Sequence, residues 1–151
     1  MLSSKQGLLM VDRALIYRKL AALEEYLTQI AEFESVSVEQ YDSEWKTQRI
    51  VERTLQVMIE CCVDIANHLI ADQKWRSPES YAEAFTILSE REVLSFHLSQ
   101  QLEQMARFRN LIVHQYASVN SEIVVRILRE RIVDLREFSE SIVRYLDGSG
   151  S

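Results

Sequence analysis

Apolar residues recur along this chain in four separate runs, stepping by four and three. Ile16, Leu20, Leu23, Leu27 and Ile30 form the first, and Val51, Leu55, Met58, Cys62, Ile65 and Leu69 the second. Leu94, Leu98, Leu102 and Met105 form the third, and Val124, Leu128, Leu135, Phe138 and Ile142 the fourth. Such steps return a side chain to the same side of an α-helix, so each run predicts one amphipathic helix with a buried stripe. The predicted helices run from about Asp12 to Glu34, Ser43 to Asp72, Glu92 to Val113 and Ser121 to Leu146. Ser77-Pro78 reads as the N-cap and first-turn proline of a short extra helix reaching Ser89. Ser35 to Asp42 and Ala117 to Asn120 read as connections, and Asp147-Gly148 as the last stop. Four long helices with short connections give an all-α, up-and-down four-helix bundle with a short extra helix. The expected organisation is an N-terminal extension (1–9), one helical domain (10–147) and a flexible tail (148–151).

Composition agrees. The chain has 151 residues, one Pro and three Gly, so breakers are scarce. Its formal net charge of -6 excludes a basic coat for nucleic acid, and any phosphate chemistry must use a local cationic pocket. No apolar run reads as long enough to span a membrane, and no signal-peptide pattern is seen. The two cysteines, Cys61 and Cys62, are neighbours on a helix and point about 100° apart, which argues against a disulfide and for a reducing, cytoplasmic setting. Their spacing with His68 fits no metal pattern, and no cofactor is implied.

The third stripe continues past Met105 to Arg109, Ile112 and Tyr116, so a guanidinium is set into a packing seam. A charge there is costly unless something pairs with it. Arg107, Asn110 and His114 share a second face at i, i+3 and i+7. Two guanidiniums, a carboxamide, an imidazole and a phenol thus lie within two turns. Histidine can exchange protons near neutrality, and arginine offers paired donors to phosphate oxygens. The set suits RNA cleavage without a metal: His114 takes the 2′-hydroxyl proton, Arg109 steadies charge on the non-bridging oxygens and Asn110 orients the imidazole. A two-fold dimer would supply the second acid-base group. The same residues are also compatible with a structural role, and a second seam arginine, Arg131, shows that the feature is not unique. On the second helix Glu60, Asp64 and Asn67 form a polar stripe that either faces solvent or lines a cleft holding Arg109, with Asp64 the candidate contact.

The segment Arg109-Asn110-Leu111-Ile112-Val113-His114-Gln115-Tyr116 resembles the R-x4-H-x-Y motif of HEPN-domain ribonuclease toxins. Taken with Met10-Val11-Asp12, the run from Arg53 to His68, Pro78 with Tyr81 and Phe108-Arg109-Asn110, the chain is similar to the HepT family. The resemblance implies a HEPN-like fold and a homodimer with facing motifs. It implies Arg109 and His114 as the catalytic pair for an RNA substrate and Asn110 as the adjoining polar group; Arg107, by its charge and its place on the His114 face, is a further candidate phosphate contact. It also implies an MntA-type nucleotidyltransferase antitoxin as partner, and Tyr116 as the tyrosine that partner modifies with AMP. A non-catalytic module that binds a nucleotide or docks the nucleotidyltransferase, and a plain assembly protein, remain open readings of the same residues.

Overall fold

Four of the helices begin at a side-chain cap the sequence supplies. Ser37 accepts from the Gln40 backbone N–H while the Gln40 side chain accepts from the Ser37 N–H, a reciprocal box that opens a six-residue helix in the stretch expected to be a connection. Ser80 accepts from the Glu83 N–H, Ser95 from that of Leu98, and Asn120 from those of Glu122 and Ile123. The computed structural model describes residues 4–115 and 119–149. Its helices are α1 (Ser4–Ile30, continued by a 3-10 turn, Ala31–Phe33), α2 (Val38–Ser43), α3 (Trp45–Gln73), α4 (Tyr81–Glu90) and α5 (Phe96–His114). A last rod consists of α6 (Ser121–Arg126), a π turn (Ile127–Arg131) and α7 (Ile132–Ser149). No strand occurs among the described residues, as the all-α expectation requires.

Several predicted boundaries move, for physical reasons. α1 starts at Ser4, inside the expected extension. Ser77-Pro78 caps nothing: it lies in an irregular segment spanned by Arg76, which bonds Glu83 at 2.9 Å and Glu90 at 2.8 Å, and Ser80 takes the capping role. Glu92 does not start α5; it terminates α4. Its φ is 62°, its N–H reaches the Ser89 carbonyl, and Val93 N–H reaches that of Leu88. α3 stops identically at Lys74 (φ 59°), with Trp75 N–H on the Ile70 carbonyl. These are left-handed C-caps built without glycine, each carrying a Cβ penalty. Glu92→Gly is expected to stabilise the fold slightly, by about 0.5 kcal/mol once the greater freedom of unfolded glycine is subtracted, read as a rise in thermal midpoint. At the far end, α7 runs through Asp147-Gly148 to Ser149.

α1 packs along α3, and α4 along α5, with α7 closing the bundle against α5 and α1. Among the described residues, every apolar member of the four predicted stripes is buried. Phe85 and Phe138, each at most 1% exposed, meet edge to face at the centre, 5.8 Å apart. α3 is, contrary to the sequence reading, long and apolar enough by length and composition to cross a membrane, and half of that window is buried inside the bundle.

Candidate active site

The second half of α5 carries the candidate chemistry, and its two faces have different fates. Arg109 turns inward. Its Nε and Nη2 both donate to Glu60 Oε2 on α3, at 3.0 and 2.7 Å, and its Nη1 donates to Asn110 Oδ1 at 3.2 Å. The guanidinium lies 4.7 Å from the ring centre of Tyr81, the first residue of α4. One cation therefore ties three helices together, and the seam position that looked costly is answered by a carboxylate and an aromatic face. Gln56, one turn before Glu60, donates to the same Oε2 at 3.3 Å and so helps to hold the carboxylate.

A guanidinium has five N–H donors. Three are engaged here, which leaves one on Nη1 and one on Nη2. That residual pair matches two oxygens of a phosphate. The Arg109 side chain keeps 16% of its surface exposed, so the site is shielded but reachable.

Arg107, Asn110 and His114 lie on the other face, and all three are exposed, as the helical wheel places them. His114 is the last residue of α5, and the following Gln115 N–H closes on the Leu111 carbonyl at 2.8 Å. Five residues along an α-helix amount to a rise of about 7.5 Å and a turn of about 140°. Within one chain Arg109 and His114 therefore share a helix without sharing a face. Tyr116, predicted two residues beyond His114, lies outside the described residues.

Asp64 is placed differently from expectation. It sits one turn past Glu60, where Lys19 of α1 takes its Oδ2 at 2.6 Å, and Arg109 pairs with Glu60 instead. Glu60, Asp64, Lys19 and Tyr81 line an open cleft of about 480 Å3 beside the Arg109 site. Glu60 and Tyr81 are the contacts of Arg109 that sequence reasoning did not single out. Glu60 was visible on the polar stripe, whereas Tyr81 follows an irregular loop and no periodicity points to it. The cysteines offer no chemistry: both are unpaired, and burial pushes both thiols up, Cys62 far more than Cys61.

With this geometry in view, similarity to known proteins becomes specific. A family model described as "Ribonuclease HepT-like" matches residues 23–142. The mRNA nuclease HepT of Shewanella oneidensis is 33% identical over 103 residues, covering 68% of this chain and 77% of that protein. The tRNA nuclease HepT of Aphanizomenon flos-aquae is 30% identical over 112 residues, covering 73% and 75%. Among solved structures, a tri-AMPylated HEPN toxin of Shewanella oneidensis in complex with its MNT antitoxin superposes with a TM-score of 0.79 at 29% identity, covering 85% of this chain and 96% of that one.

Proposed function

The chain belongs to the HepT-like ribonuclease family, and on that premise we propose that it is the toxin of a toxin-antitoxin pair, an endoribonuclease that cuts RNA without a metal. The observation that carries this reading is the pinned guanidinium of Arg109, with two donors left over, on the same helix as an exposed imidazole.

In this mechanism the two remaining Arg109 N–H groups grip the non-bridging oxygens of the scissile phosphodiester. His114 takes the proton of the adjacent 2′-hydroxyl as its oxygen bonds to phosphorus. The bond from phosphorus to the 5′-oxygen breaks, a second imidazole protonates that oxygen, and a 2′,3′-cyclic phosphate remains. Since Arg109 and His114 diverge around α5, one protomer cannot present both squarely to one phosphate. A homodimer in which the C-terminal halves of α5 face each other about a two-fold axis would supply both imidazoles at one notch and bring the Arg109 of one protomer toward the His114 of the other. Val113, 37% exposed on that half of α5, gains from such cover.

Regulation follows from the neighbouring phenol. The tri-AMPylated state of the structurally similar toxin supports Tyr116 as the acceptor here, modified by an MntA-type nucleotidyltransferase. The Tyr116 oxygen would attack the α-phosphate of ATP, losing its proton and releasing pyrophosphate. The added anion would fill the notch and repel an RNA phosphate.

Purified protein treated with a chelator is expected to cut RNA and to leave cyclic-phosphate ends; complete loss of cutting in the chelator would remove the metal-free mechanism. Coexpression with the nucleotidyltransferase is expected to add AMP-sized mass to the wild-type chain and none to Tyr116→Phe. Equal modification of both would place the acceptor elsewhere.

A further inference from the structure

Arg131 is the second cation on a packing stripe, and the reaction described above makes no use of it. It ends the π turn that interrupts the last helical rod. In an α-helix, residues five apart point about 140° away from one another. A π turn closes its hydrogen bonds from i to i+5, which stacks residues five apart on nearly the same side, and such turns recur at functional sites. Arg126 and Arg131 are such a pair. Both line one cleft of about 200 Å3, facing Gln101 and Gln104 of α5 across a floor that includes Phe108 and Ile127.

The charge of this cleft is unspent. Among the described residues neither arginine is in an ion pair. Asp134, one turn beyond Arg131, is influenced at longer range: Arg131 pulls its carboxyl back down against the upward push of burial. A chain of net charge -6 repels RNA as a whole, so a strand needs local cations on either side of the cut to stay seated. Position along α5 also matters. Gln104 is one turn from Arg107, and Phe108 precedes His114 by about 9 Å of helix rise. The cleft therefore adjoins the Arg107 edge of the exposed face that carries His114, about two to three helical turns before that residue.

We propose that this cleft is a subsite for the nucleotide flanking the scissile phosphate of a single-stranded RNA, with Arg126 and Arg131 on its phosphate and Gln101 and Gln104 reading its base. Arginine forks grip phosphate, and a side-chain amide pairs with a base edge that a duplex would hide. The apolar floor accepts the face of one heterocycle. The proposal rests on the nuclease reading and adds where the substrate strand runs.

The test uses the full chain and labelled single-stranded oligoribonucleotides. Binding is read by fluorescence anisotropy in a His114→Ala background, and cleavage in the otherwise wild-type protein. Arg126→Gln, an exposed change with little risk to the fold, and Arg131→Gln are expected each to weaken binding about tenfold, with KM rising and kcat unchanged. Together they should flatten the salt dependence by about 0.7, the slope for one phosphate of a single strand. Gln104→Ala is expected to alter preference for the flanking base at constant salt slope. A dinucleotide too short to reach the cleft should be cut equally by all variants. Unchanged affinity and salt slope in Arg126→Gln would overturn the subsite, as would loss of the dimer by sedimentation without loss of RNA affinity, which would make the cleft a protein interface. A wild-type protein that neither binds nor cuts any RNA would remove the nuclease reading itself, a result distinct from cutting that ignores Arg126 and Arg131.

Discussion

Arg109→Ala is expected to lower the rate of RNA cleavage by about 10²–10³-fold while leaving a folded protein, the loss typical of removing a donor aimed at developing charge. Two effects must be kept apart. The truncation removes the two N–H groups free to meet phosphate, and it also strands Glu60 without its partner. Glu60 is 30% exposed and still accepts from Gln56, so water and Gln56 take over most of the lost bonding, and the stability cost should stay near 1 kcal/mol. Arg109→Lys keeps the charge but not the fork, so it should fall between wild type and alanine. His114→Ala should lose about 10²–10⁴-fold in rate with almost no change in thermal midpoint, because that side chain is exposed at a helix end. Single-turnover cleavage and thermal unfolding on the same samples measure both quantities. An Arg109→Ala protein that cuts within threefold of wild type would mean that the guanidinium serves packing alone.

Glu60→Ala should produce the second large effect, and its kinetic signature differs from a loss of stability. Without the carboxylate, Arg109 loses its two bonds to α3 and keeps the Tyr81 ring and Asn110, so its guanidinium can swing. Misplacing a charge-stabilising group by about an ångström costs on the order of 10²-fold in rate. Removing a negative charge beside a phosphate site also favours substrate binding. The expected outcome is a kcat lowered about tenfold to a hundredfold together with an unchanged or lower KM. Glu60→Gln retains an oxygen acceptor and should recover part of the rate. Combined with Arg109→Lys, the Glu60 change should be non-additive by about 1 kcal/mol, as for residues in direct contact. Simple additivity, or a rise in KM at constant kcat, would show that the pair does not act as one unit. Asp64→Ala is the matched comparison: Lys19 holds that carboxylate away from Arg109, so the rate should change little.

These effects also mark where the sequence was readable. The four stripes could be traced because stepping by three and four is a property of neighbouring residues, and burying one face was the only way to use them. The ends of α3 and α4 fall within one residue of expectation, at Gln73 against Asp72 and at Glu90 against Ser89, but the way they stop was not readable. Lys74 and Glu92 adopt a backbone conformation normally assigned to glycine, so Glu92 belongs to the end of α4 and not to the start of α5. The α2 helix was readable in principle, since Ser37 and Gln40 have capping-box spacing, but its few residues carry no periodic signal. Arg109 announced a partner without naming it. Glu60 and Asp64 lie a turn apart on one face, and what separates them is Lys19 arriving from α1, a fact of tertiary packing. The π turn has no composition cue, so nothing in the order of residues foretold that Arg126 and Arg131 would align.

The carboxylate that aims Arg109 lies 49 residues earlier in the chain, and the ring beneath it belongs to yet another helix. Nothing local can assemble that triad; it exists only after α3, α4 and α5 have docked. Glu60 and Tyr81 are synthesised before Arg109, yet the three side chains meet only through the packing of their helices. In the nuclease reading, activity is therefore coupled to completion of the fold, and a variant that loosens the α3–α4–α5 contact should lose rate before it loses helix.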